Sequence, residues 1–186
     1  MLKNKKIGFV LTGEVFNFPV IISKMKELIN MGALLVPIMS YNAKLDGMQE
    51  FEKEIQNITS HNIISTIEDA EAIGVKHLTD IIVVAPCNGN TLSKLAHSIV
   101  DSPATVAVNG NLRNENNVVI AISTNDGLAG NAVNMGILLN SKHFYFVPFR
   151  QSNPITKPYA ISFDKNYLIP TIEQALCSKQ LQPVLL

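Results

Sequence analysis

Three short clusters of small polar residues have the types and spacing to carry chemistry, and each directly follows an apolar run. The first is Thr12-Gly13-Glu14, the second runs from Asn88 to Thr91, and the third runs from Ser123 to Asp126. Hydroxyl and amide groups donate and accept hydrogen bonds without carrying a charge, and glycine lets a ligand approach the backbone closely. Such clusters are typical of sites that bind a polar small molecule.

Each cluster also has a simpler structural interpretation. The first holds one glycine instead of the G-x-G-x-x-G fingerprint, so a plain strand-to-helix turn explains it more simply than a phosphate site. Asn90 has the residue type of a helix N-cap, although a cap accounts for only one of four polar residues in the six positions 88–93. Asp126 is a candidate general base, or the N-cap of a helix that begins near Gly127. Both interpretations of Asp126 stay open.

The remaining reactive residue types form no catalytic or metal-binding pattern. Cys87 and Cys177 are too few and too far apart for a disulfide framework or a zinc site, and Cys87 is expected to be a small buried residue. The four histidines form no H-x-x-x-H pair, so we expect no metal site. Asp101-Ser102-Pro103 is typical of a turn. Arg113 lies near the start of a later apolar run, where we expect an ion pair or an interface contact.

The bulk composition predicts a well-packed core and contacts between copies. The chain has 186 residues, of which 47% are hydrophobic and 16% are charged, with a formal net charge of zero. Low charge favours a homo-oligomer, and without a basic run we expect no nucleic-acid partner. The first apolar run ends at Leu11 and is too short for a signal peptide. No later run is long enough to span a membrane, so we expect a cytoplasmic protein without a membrane partner.

Alternating strand and helix patterns are expected to position the three clusters. Continuous apolar runs predict strands at 7–11, 34–39, 81–85, 118–122 and 144–147, and a short one at 62–64. Helical spacing predicts helices from Pro19 to before Gly32 and at 46–58, 67–72, 91–99, 127–139 and 167–176. Pro37 lacks an N–H donor, so its strand is expected at a sheet edge or at a bulge. The segment 149–161 is predicted to be the longest loop, acting as a lid or as an interface arm.

This alternation predicts one α/β domain over residues 1–186. The sequence has no linker and no repeat. The alternation of strands and helices favours a doubly wound, mostly parallel sheet with helices on both faces. Ligands bind such sheets beyond the carboxyl ends of the strands, near the point where the strand order reverses. The three polar clusters follow strands, and we therefore expect them to meet at that edge around a small-molecule substrate.

The second cluster resembles a known signature. Ala85-Pro86-Cys87-Asn88-Gly89-Asn90-Thr91 matches the A-P-x-x-x-N-T pattern of the flavin-containing, cysteine-decarboxylase-like flavoproteins. Nearly end to end, the chain is more similar still to one group with this fold, the B subunits of bacterial dipicolinate synthases. The most specific matches are the Ser-Thr-Asn-Asp-Gly-Leu stretch at 123–128 and the Gln-Leu-Gln-Pro-Val tail at 180–184.

The resemblance implies a Rossmann-like flavoprotein fold and the last step of dipicolinate formation during sporulation, in the cytoplasm of the mother cell. There a dihydrodipicolinate precursor is oxidised to the aromatic acid, and NADP is the electron acceptor, bound by the A subunit of dipicolinate synthase. Two alternatives stay open. One is a stand-alone FMN-dependent decarboxylase or prenyltransferase-like flavoprotein, and the other is a non-catalytic assembly subunit. Decarboxylation is disfavoured because the C-terminal cysteine motif is absent and His77 lies too close to Asp80 to match the family's histidine.

The resemblance also assigns roles to residues of the clusters. Those implied to bind a cofactor, FMN, are Thr12, Gly13, Ser40, Pro86, Asn88, Asn90, Thr91 and Ser123, with Thr12 and Gly13 at its phosphate. Asn125 and Asp126 are implied at the reacting end of the substrate. Glu14 replaces the usual serine, and a carboxylate beside a phosphate is electrostatically unfavourable, so FMN binding requires Glu14 to point away. With Glu14 and Asp126 both negative, we expect any cations for a dianionic substrate to come from another subunit.

Overall fold

One seven-stranded sheet organises the protein in this computed structural model, which describes residues 1–13, 18–45 and 49–186. The strands are β1 (Lys6–Leu11), β2 (Leu34–Met39), β3 (Ile81–Cys87), β4 (Asn117–Thr124), β5 (Phe144–Phe146), β6 (Phe149–Asn153) and β7 (Lys157–Phe163). Their order is β2-β1-β3-β4-β7-β6, and β5 also pairs with β4. The order β2-β1-β3-β4-β5 is parallel throughout, and it reverses between β1 and β3. A ligand crevice is therefore expected between the carboxyl ends of β1 and β3.

Helices cover both faces of the sheet. They are α1 (Phe18–Asn30), α2 (Tyr41–Leu45), α3 (Gln49–Thr59), α4 (Ile67–Val75), α5 (Gly89–Ala96), α6 (Pro103–Arg113), α7 (Ala132–Leu139) and α8 (Leu168–Leu176), with a 3₁₀ turn at Lys165–Tyr167. Successive strand residues point to opposite faces, so Phe9 packs into the core under α1 and α8, while Val10 packs into the core under α4 to α7. The predicted doubly wound α/β fold is confirmed. No described helix is long and apolar enough to cross a membrane.

The buried strands lie where their apolar runs predict them. Pro37 lies on β2, at the edge of the sheet, as expected for a residue without an N–H donor. The strand predicted at 62–64 is reduced to a single bridge between Ile38 and Ile64, so that prediction is wrong. The start of the helix predicted from Asp46 lies outside the described residues, and its described part is α3.

A helix begins at Pro103, at the end of the segment that we read as a turn at 101–103. Ser102 caps α6: its hydroxyl accepts a hydrogen bond from the Thr105 N–H at 3.3 Å, while Thr105 Oγ1 accepts from the Ser102 N–H at 3.1 Å. Pro103 occupies the first helical position, where its missing N–H has no consequence. Arg113 therefore ends α6 and lies four residues before β4 begins at Asn117, near the start of a strand as predicted. Ser-Pro followed by Thr105 was the sequence signal for this helix.

The segment 149–161 is a β-hairpin, so the prediction of a loop is also wrong. β6 and β7 pair antiparallel, and β7 continues onto β4 through Ser162 opposite Ser123 and Ile161 opposite Thr124. Nearly all side chains from Arg150 to Tyr159 are exposed. The pairing of β7 with β4 joins residues nearly 40 positions apart, and the polar sequence of the hairpin gives no apolar alternation that local reasoning detects. The hairpin stands at the carboxyl end of β4, beside the expected site.

Candidate functional site

The turns after β1 and β3 are tied together by one hydroxyl. Thr12 is fully buried, and its Oγ1 donates to the Pro86 carbonyl at 2.7 Å and accepts from the Asn88 N–H at 3.1 Å. The Ala85–Pro86 peptide is cis, and the pairing of β3 with β4 shifts in register between Val84 and Cys87. The Thr12 side chain therefore holds the two walls of the crevice in place, with both capacities of its hydroxyl used inside the protein.

The helix cap in the second cluster is Asn88, and the expectation that Asn90 takes this role is wrong. Asn88 Oδ1 accepts from the Thr91 N–H at 2.8 Å at the start of α5. Asn90 follows as an exposed residue of the first turn, and its side chain bonds to no described residue. The amide of Asn90 is consequently available to a ligand, whereas the Asn88 oxygen stabilises the helix.

The third cluster is organised around the carboxylate of Asp126. Thr124 Oγ1 donates to its Oδ1, and Asn131 Nδ2 lies 2.9 Å and 2.8 Å from its two oxygens. The hydrogen bond from Thr124 is the largest effect and lowers the pKa of the Asp126 carboxyl. Partial burial opposes it, and the bonds from Asn131 lower the pKa further. An ionised carboxylate with a lowered pKa is a weak base. The geometry therefore favours a role for Asp126 in positioning the turn over a role in accepting a proton.

Asp126 does not cap a helix, because the turn that follows it is longer than predicted. α7 begins at Ala132, and residues 127–131 form turns instead of the predicted helical start. A Cβ atom at Gly127 would lie only 2.2 Å from Cγ1 of Ile161 on the hairpin, so a glycine is needed there. Leu128 N–H also donates to the Tyr159 carbonyl at 3.0 Å. This turn and the hairpin therefore pack as one unit, and Asn125 lies exposed at its start.

A small polar cleft lies where the second cluster approaches the end of β2. Its volume is about 50 Å³. Its lining residues are Ser40, Tyr41, Asn42, Asn88, Asn90, Thr91, Lys94 and Ser102. Ser40 directly follows β2, and its N–H donates to the Leu11 carbonyl at 3.0 Å, which links the ends of β1 and β2. The structure thus brings four predicted site residues together at one edge of the sheet.

Six predicted site residues do not line this cleft, namely Thr12, Gly13, Pro86, Ser123, Asn125 and Asp126. Ser123 faces the α1 and α8 side of the sheet, because its neighbour Thr124 points to the opposite side, against Gly89 at the start of α5. The Asp126 cluster reaches the second cluster through the same glycine: a Cβ atom on Gly89 would lie 3.0 Å from Asp126 Oδ1. Gly13 ends the described part of the first turn. The requirement that Glu14 points away from the FMN phosphate concerns a residue outside the described ones.

Four residues of the cleft were missed by the sequence analysis. Tyr41 and Asn42 begin α2, Ser102 caps α6, and Lys94 lies one turn along α5 from Asn90. The spacing of Asn90 and Lys94 on one helix face was the available signal for Lys94. Ser102 could have been found only by predicting α6.

The cysteines take no part in this site. Cys87 is fully buried, and burial raises the pKa of its thiol, so it is the small buried residue that we expected. Cys177 is exposed and directly follows the end of α8, far along the chain from the three clusters. Among the described residues, no group of three His, Cys, Asp or Glu side chains is placed to hold a metal ion.

Comparisons with known proteins agree on one family. The flavoprotein family model matches residues 1–157. The chain is 39% identical to the dipicolinate synthase B subunit of Bacillus subtilis (strain 168) over 189 residues, which cover 99% of this chain and 94% of that protein. The crystal structure of the dipicolinate synthase B subunit from Bacillus halodurans matches with a TM-score of 0.93 at 36% identity, over 100% of this chain and 97% of that one. The FMN-dependent cysteine decarboxylase SpaF, at 21% identity, has a TM-score of 0.68 over 91% and 98% of the two chains, which shows a shared fold.

Proposed function

Because the chain belongs to the flavoprotein family, and within it to the dipicolinate synthase B subunits, we propose that it works as the B subunit of a dipicolinate synthase. The observation that carries this proposal is similarity along the whole length, with 99% of this chain and 94% of the Bacillus subtilis protein aligned. The aligned region spans the turns after β1, β3 and β4 as well as the core, and 39% identity over that length supports a shared function in addition to a shared fold.

The proposed reaction removes two hydrogens from a dihydrodipicolinate precursor. A hydride leaves a ring carbon for NADP⁺, a proton is lost from the ring, and the product is the aromatic dicarboxylate. We propose that NADP is held by an A-type partner subunit, because the turn after β1 holds one glycine in place of the dinucleotide fingerprint. This chain then contributes the pocket that orients the substrate, in the mother cell of a sporulating bacterium.

We propose that Asn125 and Asp126 lie at the reacting end of the substrate. Asn125 contacts the substrate, and Asp126 holds the turn in position. Asn125 is exposed, and its amide bonds to no described residue, so it is free to contact the substrate. Asp126 is anchored by Thr124 and Asn131, and it positions the turn that carries Asn125. The proton that leaves the ring is therefore assigned to a group other than Asp126.

The donor set of this site fits the polar parts of FMN. Ser40, Asn88, Asn90 and Thr91 offer neutral hydroxyl and amide groups, which suit the ribityl hydroxyls and the oxygen and nitrogen edge of a flavin. The crevice between β1 and β3 is also the place where FMN binds in sheets of this strand order. Bound FMN would supply a ring that accepts a hydride. We propose that these residues, together with Thr12, Gly13, Pro86 and Ser123, surround the cofactor.

Reconstitution with the partner subunit tests the proposed function. The full chain is mixed with an A-type subunit, the dihydrodipicolinate precursor and NADP⁺, and NADPH formation is followed. We expect turnover to require this chain. Equal turnover when the chain is left out would disprove the proposal. Full turnover by the N90A and D126A variants would instead assign this chain a purely assembling role.

The absorbance spectrum of the purified protein tests the proposed cofactor. We expect a band near ~450 nm, as for any protein with bound oxidised flavin, in the protein as isolated or after addition of FMN and desalting. A protein that stays colourless after FMN addition, while it still supports turnover with the partner, would show that the pocket works without flavin.

A further inference from the structure

The Gln-Leu-Gln-Pro-Val stretch at 180–184 is one of the most specific matches in the sequence, and it lies outside the three polar clusters. It opens the segment 180–186, which follows α8 and pairs with the start of β6 through Leu185 and Phe149. Four of the seven side chains in this segment are exposed, whereas Val184 packs against the core under α4 to α7. The hydrogen bonds of the segment therefore indicate its role better than its burial does.

The side chain of Gln180 takes the place of a neighbouring strand at Phe146. The Phe146 N–H donates to Gln180 Oε1 at 2.8 Å, and Gln180 Nε2 donates to the Phe146 carbonyl at 2.7 Å. Phe146 is the last residue of β5, which pairs with β4 on its other side. An amide side chain offers the same donor and acceptor as a peptide group, so glutamine satisfies both backbone groups of Phe146 at once.

The same segment also holds Phe149, the first residue of β6. The Phe149 N–H donates to the Val184 carbonyl at 3.1 Å, and the Leu186 N–H donates to the Phe149 carbonyl at 3.0 Å. Between Phe146 and Phe149 the chain leaves the parallel part of the sheet and enters the hairpin. The segment 180–186 therefore bonds to both sides of the bend from which the hairpin starts.

The hairpin of β6 and β7 depends on such contacts at its base. Only two residues of β4, Ser123 and Thr124, pair with β7 in the described part of the chain, and a two-stranded hairpin has marginal stability by itself. Side chains from Arg150 to Tyr159 are nearly all exposed, so apolar packing fixes little of the position of this outer part. Hydrogen bonds at the bend are therefore expected to set the angle between the hairpin and the sheet.

The position of the hairpin reaches the candidate site through the turn after β4. The Leu128 N–H donates to the Tyr159 carbonyl at 3.0 Å, and Gly127 packs against Ile161 without room for a Cβ atom. Asn125 begins this turn. A displaced hairpin therefore displaces the turn, and the Asn125 amide moves with it.

We infer that Gln180 is a positioning residue: it fixes the bend between β5 and β6, and through the hairpin it holds the turn that carries Asn125. The inference rests on the proposed function, under which Asn125 contacts the substrate. Without the Gln180 amide, the hairpin occupies displaced positions for part of the time. Substrate then binds only the molecules whose turn is in place, so its apparent affinity falls in proportion to their fraction.

Hydrogen exchange of the full chain tests the hold on the hairpin directly. In Q180A we expect the amides of residues 150–163 to exchange about fivefold faster or more than in the wild type, because two hydrogen bonds at the base are lost. Phe146 is left out of this comparison, since its own N–H loses a partner. The amides of β3 should exchange as in the wild type. Unchanged exchange in the hairpin would overturn the inference, as would equal acceleration in β3, which indicates a general loss of stability.

Gln182 supplies the matched control for Gln180. It lies two positions further along the same segment, it is exposed, and its side chain bonds to no described residue. Q182A removes the same kind of side chain without touching the bend, so it should match the wild type in exchange and in turnover. Equal behaviour of Q180A and Q182A in both measurements would contradict a special role for Gln180 and overturn the inference.

Q180E gives a second test, which depends on the paired hydrogen bonds alone. An ionised glutamate accepts from the Phe146 N–H but cannot donate to the Phe146 carbonyl, whereas a protonated one does both. We therefore expect the hairpin of Q180E to exchange faster than that of the wild type at neutral pH. The ratio of the two rates, compared at the same pH, should fall towards one as the pH drops from about 7 to about 4.5, where glutamate becomes protonated. A ratio that does not change with pH would overturn the inference.

Reconstituted turnover with the A-type subunit tests the effect on the site. For Q180A we expect the KM for the dihydrodipicolinate precursor to rise about fivefold with kcat unchanged, because saturating substrate selects the molecules whose turn is in place. A wild-type KM together with faster hairpin exchange would overturn the inference and keep the proposed function. Turnover that does not require this chain would reject the proposed function, and hydrogen exchange would still decide whether Gln180 holds the hairpin.

Discussion

At the scale of single residues, similar side chains after the strands divide into those that build the site and those left free for a ligand. The side chains of Thr12 and Asn88 form their hydrogen bonds within the turns themselves. The side chains of Asn90, Thr91 and Asn125 make no hydrogen bond to any described residue. Residue type does not separate the two groups, because the difference lies in which backbone groups surround each side chain.

Asp126 gives a prediction about pH at this scale. Its folded pKa is lowered by Thr124 and Asn131, so ionised Asp126 stabilises the fold above the unfolded pKa of about 3.9, and this stabilisation disappears as the pH falls through the folded pKa. In D126N an amide N–H group replaces one carboxylate oxygen and no longer accepts from Asn131 Nδ2, so we expect a loss of about 1 kcal/mol at pH 7. Urea unfolding of the two proteins should show a constant difference from pH 5 to 8 that shrinks below about pH 4. A difference independent of pH down to acid unfolding would contradict this account.

At the scale of elements, the start of α5 is packed against the turn after β4. Gly89 opens the helix, and a Cβ atom there would lie 2.6 Å from Asn131 Nδ2 and 2.7 Å from Thr124 Oγ1. The second and third polar clusters therefore meet through a glycine. This contact joins the helix that carries Thr91 and Lys94 to the turn that carries Asn125, and a change at one cluster displaces the other.

Replacement of Gly89 by alanine tests this packing. We expect G89A to lower the free energy of unfolding by about 1–3 kcal/mol, because the added methyl group overpacks the contact with Asn131 and Thr124. Gly136 in α7 is the matched control, since a Cβ atom there meets nothing within 4 Å. G136A should raise the free energy by roughly 0.5–1 kcal/mol, as alanine favours a helix over glycine. Urea unfolding at one protein concentration compares them, and equal stabilities of G89A and wild type would refute the tight contact.

At the scale of the whole molecule, apolar side chains remain exposed on α7 and on the hairpin. Val133, Ile137 and Leu139 are exposed on the helix, and Ile155 and Tyr159 on the hairpin, with Ile155 92% exposed. The net charge of zero gives little repulsion between copies. These features support the proposal that the chain forms a homo-oligomer, in agreement with its low charged fraction.

Light scattering at micromolar concentration tests that proposal. We expect the wild type to be an oligomer and V133D to dissociate, because a carboxylate placed in an apolar interface loses its hydration. V75D is the control: Val75 is 79% exposed at the end of α4, on another helix, against 63% for Val133. It should leave the mass unchanged. A monomeric wild type would reject the homo-oligomer, and equal masses of wild type and V133D would place the interface elsewhere.

The sequence by itself determined the parallel core and the position of the site edge. Runs such as 81–85 and 118–122 are apolar throughout, and continuous burial on both faces of a parallel strand requires such a run wherever the chain folds. Tertiary structure alone decided which polar residues share a site. The β7 strand joins the parallel strands through β4, nearly 40 residues away, and Lys94 and Ser102 meet Ser40 only because β1 lies between β2 and β3. Local sequence patterns indicate which side chains are buried, whereas contacts between distant turns depend on the order of the strands.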